Sequence, residues 1–399
     1  MKHYIILTFI LVLIGCSGNK KHQNEDTLET IPFDFRKAKP ETDITFAIDT
    51  NYFEIIPLET NDECLISEIT KISISNNKIV IYDERMKGAY IFNRDGSFHA
   101  KVRAIGQGPG EYPPIVNDIM VSKTHIGVLV PTFGIMLYDF DGKFIRKIPL
   151  DGTWGFNLFT FDDTNYFLVN DWSRSKIGYF LLFRLDTEKN RVNSYLPFSN
   201  KDYDNNRGWG LEKYYNLYDN RALLCFSTLN TIYHLTPSGE ISPRYELDIL
   251  YKKMPDEIRT GDGEKAIKSW IESGYIMGIS NIAETSRFLF LRINGGNHTI
   301  VYDKKEKEVK AISTDFVIPS FCDTSFRIQF TQDEGDTILT YITGLYAANT
   351  RSYFAEEKAK GKWTKGDGTN AFEREFIKVL KNVQDEEDNP IVLFFKARQ

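Results

Sequence analysis

From residue 69 onward the chain alternates short apolar runs with turn residues, and the runs carry the two-residue period of strands. Residues 69–74 (ITKISI) alternate apolar and polar positions, Asn76-Asn77 marks a turn, and 78–82 (KIVIY) and 89–92 (AYIF) read as buried strands. A turn at Arg94-Asp95-Gly96-Ser97 leads into a fourth strand, 98–102 (FHAKV). The pattern then repeats over 116–121, 126–130 and 135–140, the turn Asp141-Gly142-Lys143, and 144–148. Asp-Gly between alternating apolar runs is a strong hairpin signal, because both turn positions tolerate positive φ.

The third strand and its turn recur as AYIFNRDGSF, MLYDFDGKF, FLLFRLDTEKNRV, TIYHLTPSGEI and TIVYDKKEKEV. Aligned on Phe92, Tyr138, Phe183, Tyr233 and Val301, the steps are 46, 45, 50 and 68 residues, a spacing that fits propeller blades. The long step contains 250–275, which has helical composition. A sixth unit is divided. Residues 326–330 and 337–341 supply two strands, a polar helical insertion fills about 345–389, and 391–396 (IVLFFK) supplies a third. The fourth comes from the other end of the chain, where 52–58 (YFEIIPL) is a strand without a blade. The fold expected is therefore all-β: a six-bladed β-propeller of four-stranded blades. The N-terminal strand pairs with the C-terminal strand to close the ring and hide its edges. Without the insertions, about 46 residues remain for each blade, the same as the internal step. A sandwich pair needs no constant period, and β-helix coils are much shorter.

The start of the chain has a separate role. Met1-Lys2-His3 is a short basic segment, followed by an apolar run at 4–14 and by Gly15-Cys16. The run is too short to cross a membrane as a helix, which takes about 20 residues, and it suits an export signal. Leu13-Ile14-Gly15-Cys16 resembles a bacterial lipobox, whose cysteine receives a diacylglycerol before cleavage on its N-terminal side. An ordinary cleaved signal is the alternative, but no A-x-A-like site stands nearby. The organisation expected is a signal peptide at 1–15, lipidated Cys16 with a flexible polar tether to 45, and the propeller at 46–399, with helical insertions at about 250–275 and 345–389. The membrane is then a partner through the lipid. Lys20 and Lys21 precede Glu25 and Asp26, which leaves either leaflet of the outer membrane open.

Net charge −6 gives no basic field for a polyanion, so nucleic acid is not an expected partner. Cys64, Cys225 and Cys322 are widely separated and read as buried structural thiols. No second hydrophobic span follows residue 16.

The segment Ile105-Gly106-Gln107-Gly108-Pro109-Gly110-Glu111-Tyr112 follows the first repeat's last strand. Its prolines forbid the helix that a phosphate loop must open, so it reads as a blade-to-blade connection. It resembles the G-x-G-P-G-E-Y signature of a family of six-bladed β-propeller lipoproteins common in gut Bacteroidetes. The strand ending Pro57-Leu58-Glu59-Thr60, the Asn389-Pro390 start of the last strand and the lipobox sit where that family has them. The resemblance implies the fold and the anchor and leaves the activity unassigned.

In a four-stranded meander, turns 1–2 and 3–4 emerge on one face, and turns 2–3 and the blade links on the other. The first class is short here. The second holds 106–114, 171–176, 199–212, 250–275 and 345–389, together with Trp154, Trp172, Trp209, Trp270 and Trp363. Long loops on a rigid scaffold are the usual seat of binding. Tyr112, Trp154, Trp172, Arg174, Arg207 and Trp209 are the candidate binding residues, as rings and polar groups that suit a glycan or a peptide. The competing role for each tryptophan is packing within its own loop.

Catalytic signals are sparse. His3, His22, His99, His125, His234 and His298 are scattered, with no H-E-x-x-H and no G-x-S-x-G. Asp202-x-Asp204-x-Asn206 is a partial calcium-loop pattern, but Arg207 takes the glycine position, and no metal or other cofactor is expected. Asp385-Glu386-Glu387-Asp388 reads as a charged surface turn. Three functions remain: a binding propeller for a glycan, peptide or envelope protein; a propeller hydrolase or lyase acting on a saccharide or peptide; and a structural subunit of an envelope complex. Carboxylates or histidines converging at the channel mouth would favour the second, and a broad apolar patch the third.

Overall fold

The computed structural model describes residues 27–34, 36, 43–210, 214–260, 263–294, 299–313, 328–329, 335–360, 371–383 and 386–399. Cys16, Cys322, His298 and Trp363 lie outside these residues. Strand β1 (Glu29–Phe33) is followed by β2 (Ile48–Pro57), and the blades then follow in order. Blade one is β3 (Lys71–Ser75), β4 (Lys78–Asp83), β5 (Gly88–Asn93) and β6 (Phe98–Val102). Blade two is β7 (Asp118–Val121), β8 (Ile126–Val130), β9 (Gly134–Tyr138) and β10 (Phe144–Ile148). Blade three is β11 (Asn157–Thr160), β12 (Asn165–Val169), β13 (Phe180–Asp186) and β14 (Arg191–Pro197), and helix α1 (Asn200–Asn206) follows it. Blade four is β15 (Tyr215–Tyr218), β16 (Arg221–Leu224), β17 (Thr231–Leu235) and β18 (Ile241–Ile249), followed by α2 (Asp256–Arg259) and α3 (Gly263–Ser273). Blade five is β19 (Ile279–Glu284), β20 (Phe288–Ile293), β21 (Thr299–Asp303) and β22 (Glu308–Ser313). Blade six holds β23 (Ile328–Gln329), β24 (Thr337–Ile342), the insertion helices α4 (Gly344–Ala359) and α5 (Ala371–Leu380), and β25 (Ile391–Ala397).

The result is a six-bladed β-propeller. Each blade is an antiparallel meander whose first strand lines the axis; β7 lies against β11, and β15 against β19. Turn chemistry follows the sequence. Asn76-Asn77 and Asp219-Asn220 take positive φ at both positions, as two-residue hairpins between twisted strands require. Buried aliphatic and aromatic side chains of neighbouring blades merge into shared cores, such as Ile72, Ile79 and Phe92 of blade one with Leu339, Val392 and Phe394 of blade six.

The ring closes as the sequence indicates. β2 pairs antiparallel with β25 as the outer strand of blade six, from Phe53↔Phe395 to Pro57↔Ile391, and after an irregularity the pairing resumes at Asp49↔Lys396. Blade one grips the same strand. Arg94 Nε and Nη2 each lie 3.0 Å from an oxygen of Glu54, and the Glu59 amide donates to the Gly96 carbonyl at 2.8 Å. Gly96 is required at this seam: a Cβ would stand 2.1 Å from the Pro57 carbonyl oxygen, and its φ is +90°. Asn389 ties the adjoining loop, donating to the carbonyls of Glu59 (2.6 Å) and Cys64 (2.8 Å) and accepting from the Ile66 amide (2.9 Å).

Two segments depart from the expectation. Glu29–Phe33, inside the stretch expected to be a flexible tether, is a strand that pairs parallel with β18 and makes blade four five-stranded. Its alternate side chains Ile31 and Phe33 are fully buried beside Leu247 and Ile249, which stabilises the strand although its flanks are polar. Residues 200–206, read as a polar loop, form α1. Ser199 and Asp202 make a capping box: the Asp202 amide donates to Ser199 Oγ at 3.1 Å, and the Ser199 amide donates to Asp202 Oδ2 at 2.8 Å. The aspartate that suggested a calcium loop is therefore a helix cap.

Candidate functional site

Inner strands begin, and second strands end, on the face that carries the links and the 2–3 turns. There a cavity of about 1350 Å³ opens at the axial mouth. Its floor is built from the first residues of inner strands. Lys71 starts β3, Asp118 starts β7, Asn157 starts β11, and Asn281 lies near the start of β19. Its walls come from the link carrying Trp154 and Phe156, the turn 171–174 of blade three, Tyr203 of α1, and 207–210 beyond it.

The floor is held by one buried ion pair. Lys71 Nζ lies 3.0 Å from Asp118 Oδ1 and donates to the Ile119 carbonyl at 2.8 Å and to the Tyr215 hydroxyl at 3.0 Å. Tyr215 in turn donates to the Leu158 carbonyl at 2.9 Å. Asp118 also accepts from the amides of Ile119 (2.8 Å) and Leu158 (2.9 Å). Four blades are thus joined through two charges. Burial works against the ammonium, but Asp118 and the Tyr215 hydroxyl outweigh it and hold Lys71 above its ordinary range. The Tyr82 hydroxyl beside this pair is buried without a hydrogen-bond partner.

The cavity brings together five of the six candidate residues: Trp154, Trp172, Arg174, Arg207 and Trp209. They differ in what they offer. Trp154 is half-buried and stands edge-on to Phe156, whose ring is exposed and stacked on Tyr214 (6.1 Å, 15°). Trp172 is buried and donates from Nε1 to the Ser227 carbonyl at 2.6 Å, so its role is chiefly to lock this turn to blade four. Trp209 lines the cavity with one side and packs edge-on against Trp270 in a small satellite core. Arg174 and Arg207 are exposed at the rim, both over the Tyr203 ring (4.1 and 5.4 Å).

Tyr112 does not belong to the site. It is fully buried between blades one and two, donates to the Lys87 carbonyl at 2.9 Å, and pins the glycine loop. That loop is the blade connection expected, with Glu111 folded back onto the Gly108 amide at 2.7 Å and Gly110 at φ +80° against Phe144. Aromatic type beside an unusual loop does not reveal which way the ring points. Phe156, Tyr203, Tyr214, Lys71 and Asp118 were missed, although Trp154 and Phe156 two positions apart in a blade link were a usable signal.

The family described as a domain of unknown function, DUF4934, matches residues 31–396. The chain belongs to that family. Among curated proteins none matches it. One solved structure shares the architecture. A protein named as exported, from Bacteroides fragilis NCTC 9343, superposes with TM-score 0.68 at 18% identity over 94% of this chain and 100% of that one. A DUF4221 family member from Bacteroides vulgatus gives 0.47 at 12% identity over 88% and 97%. A protein of unknown function from Bacteroides thetaiotaomicron gives 0.42 at 10% identity over 87% and 76%.

One carboxyl in this DUF4934 propeller is electrostatically exposed to pH. Asp171 is buried, with no cation in ion-pair distance among the described residues; Ser227 donates to it from its amide (3.0 Å) and its hydroxyl (2.6 Å). Burial prevails over these bonds and pushes the carboxyl up to about 7. The folded state therefore holds a proton that the unfolded chain releases near its ordinary value of about 4. Stability from this group is complete below that value and is lost as pH rises through about 7. Between pH 5 and pH 8 the wild type should lose roughly 2–3 kcal/mol from this source. Asp171→Asn, which keeps an acceptor for the Ser227 amide, should show a flatter profile in denaturant melts at the two pH values. An unchanged slope would count against the assignment.

Proposed function

We propose that this protein is an envelope lipoprotein, anchored through lipid on Cys16, whose axial cavity binds a saccharide without transforming it. The carrying observation is the cavity's make-up: half-buried Trp154 and exposed Phe156 present ring surface beside the amides of Asn157 and Asn281. Rings stack on the apolar face of a pyranose, and amides serve both donor and acceptor hydroxyls. The acid and base at the floor support binding over acid–base chemistry, because Lys71 and Asp118 are committed to each other and to backbone groups. The exported character of a protein sharing the fold, together with the lipobox-like start, supports the envelope. Among the described residues no helix is long and apolar enough to cross a membrane.

The test is a thermal-shift and calorimetric screen against oligosaccharides, peptides and peptidoglycan fragments. A ligand at a hundred times its Kd raises stability by about 2.7 kcal/mol. Trp154→Ala and Phe156→Ala should each weaken a saccharide hit about tenfold or more without lowering Tm in its absence. Peptide hits alone, or saccharide hits unaffected by either change, would refute the reading, and released product would revive the hydrolase or lyase. Detergent-phase partitioning of the full chain, abolished in Cys16→Ala, tests the anchor.

A further inference from the structure

The charges around the cavity are unbalanced. Lys71 is matched by Asp118, and on the lining Glu68 faces Arg85 at 3.5 Å and Glu84 faces Lys87 at 3.6 Å. Asp171 points inward to Ser227. Arg174 and Arg207 have no such match among the described residues. Among the described residues Arg174 donates only to a neutral group, Asn200 Oδ1, at 3.1 Å, and neither guanidinium lies within ion-pair distance of a carboxylate. Arg259, close by, shows the contrast: it is paired with Asp256 at 3.1 Å. A chain of net charge −6 thus places two exposed arginines, with no acid paired to them among the described residues, at the mouth of its aromatic cavity.

Their setting suits recognition. Arg174 lies 4.1 Å from the centre of the Tyr203 ring and 5.7 Å from that of Tyr179, and Tyr179 donates to the same Asn200 oxygen at 3.1 Å. Tyr203 stands on α1, fixed by its capping box and by Asn206, which accepts from Thr228 at 2.7 Å and from Arg259. Stacking holds a guanidinium in a defined plane while its N–H groups stay free for a ligand. A planar fork matches a carboxylate with two parallel hydrogen bonds, which a lysine cannot provide.

Resting on the saccharide reading above, we infer that the ligand is acidic: a uronic-acid-containing oligosaccharide whose carboxylate is gripped by Arg174 and Arg207. The aromatic wall takes the sugar ring, and the arginines read the charge.

The experiment is calorimetry on the full chain in detergent with galacturonate, mannuronate–guluronate and glucuronate-containing oligomers, each paired with its carboxyl methyl ester. At least one acid should bind roughly tenfold to a hundredfold tighter than its ester, and more weakly as salt rises. The doubly substituted R174Q/R207Q protein should melt as wild type does and bind acid and ester with equal affinity, having lost the preference for the acid. Equal binding of acid and ester, or a preference that survives in R174Q/R207Q, would overturn the inference and leave the saccharide reading intact. A tetraglutamate peptide binding as tightly as the best uronate, or no saccharide binding at all, would overturn both.

Discussion

A chain from which Ile48–Pro57 is deleted, and which so lacks β2 but keeps β1, should show no cooperative thermal melt. The expectation follows from what the strand does at the seam. β2 covers the outer edge of β25 and buries Ile48 and Ile56. Phe53 packs edge-on against Phe372 of α5 at 5.2 Å. From the other side Arg94 clasps Glu54 and lies 4.1 Å over the Phe394 ring. Removing the strand exposes an edge, strips the insertion helices of a neighbour and parts blade six from blade one. The combined loss exceeds the 5–15 kcal/mol that holds a typical domain folded. Circular dichroism and differential scanning calorimetry would decide. A single transition at the wild-type midpoint would mean that the other five interfaces suffice.

Lys71→Met should cost about 3–5 kcal/mol, because it leaves the Asp118 carboxylate buried with amide donors but without its cation. Asp118→Asn should cost a similar amount for the mirror reason, leaving the ammonium with neutral acceptors only. The double substitution removes both charges and should cost well under the sum of the two. Denaturant melts completing that cycle measure the coupling directly. Two small, additive effects would show that the pair contributes nothing to blade registry.

The propeller was legible in the sequence because each blade repeats local signals: Asp-Gly or Asn-Asn turns, alternating strands and a constant step. Ring closure was legible by subtraction, since 52–58 lacked a blade and blade six lacked a strand. β1 was not legible. Five residues with two apolar side chains carry no periodic signal, and their burial depends on β18, some two hundred positions away. The site was half legible. Loop length marked the face on which the cavity opens, and Trp154, Trp172, Trp209, Arg174 and Arg207 do converge on that one cavity. Its floor could not be read, because Lys71 and Asp118 stand on different blades and neither has a local motif. Tyr112 failed for the opposite reason: its motif was conspicuous, but a ring pinned to the Lys87 carbonyl has no free surface.

The direction of β1 sets the face of the propeller from which the N-terminal strand enters. β18 runs from the face of the short turns toward the face of the cavity, and β1 runs parallel to it, so Glu29 enters from the side opposite the mouth. That entry is clamped, with Glu29 bonded to Lys307 at 2.7 Å and to the Tyr302 hydroxyl. With Cys16 lipidated as proposed, only twelve residues, 17–28, separate the anchor from the clamp, a reach of at most about 40 Å. The propeller would then stand on its short-turn side with the mouth turned outward from the bilayer. A long polymer could be engaged there without passing between the protein and the headgroups.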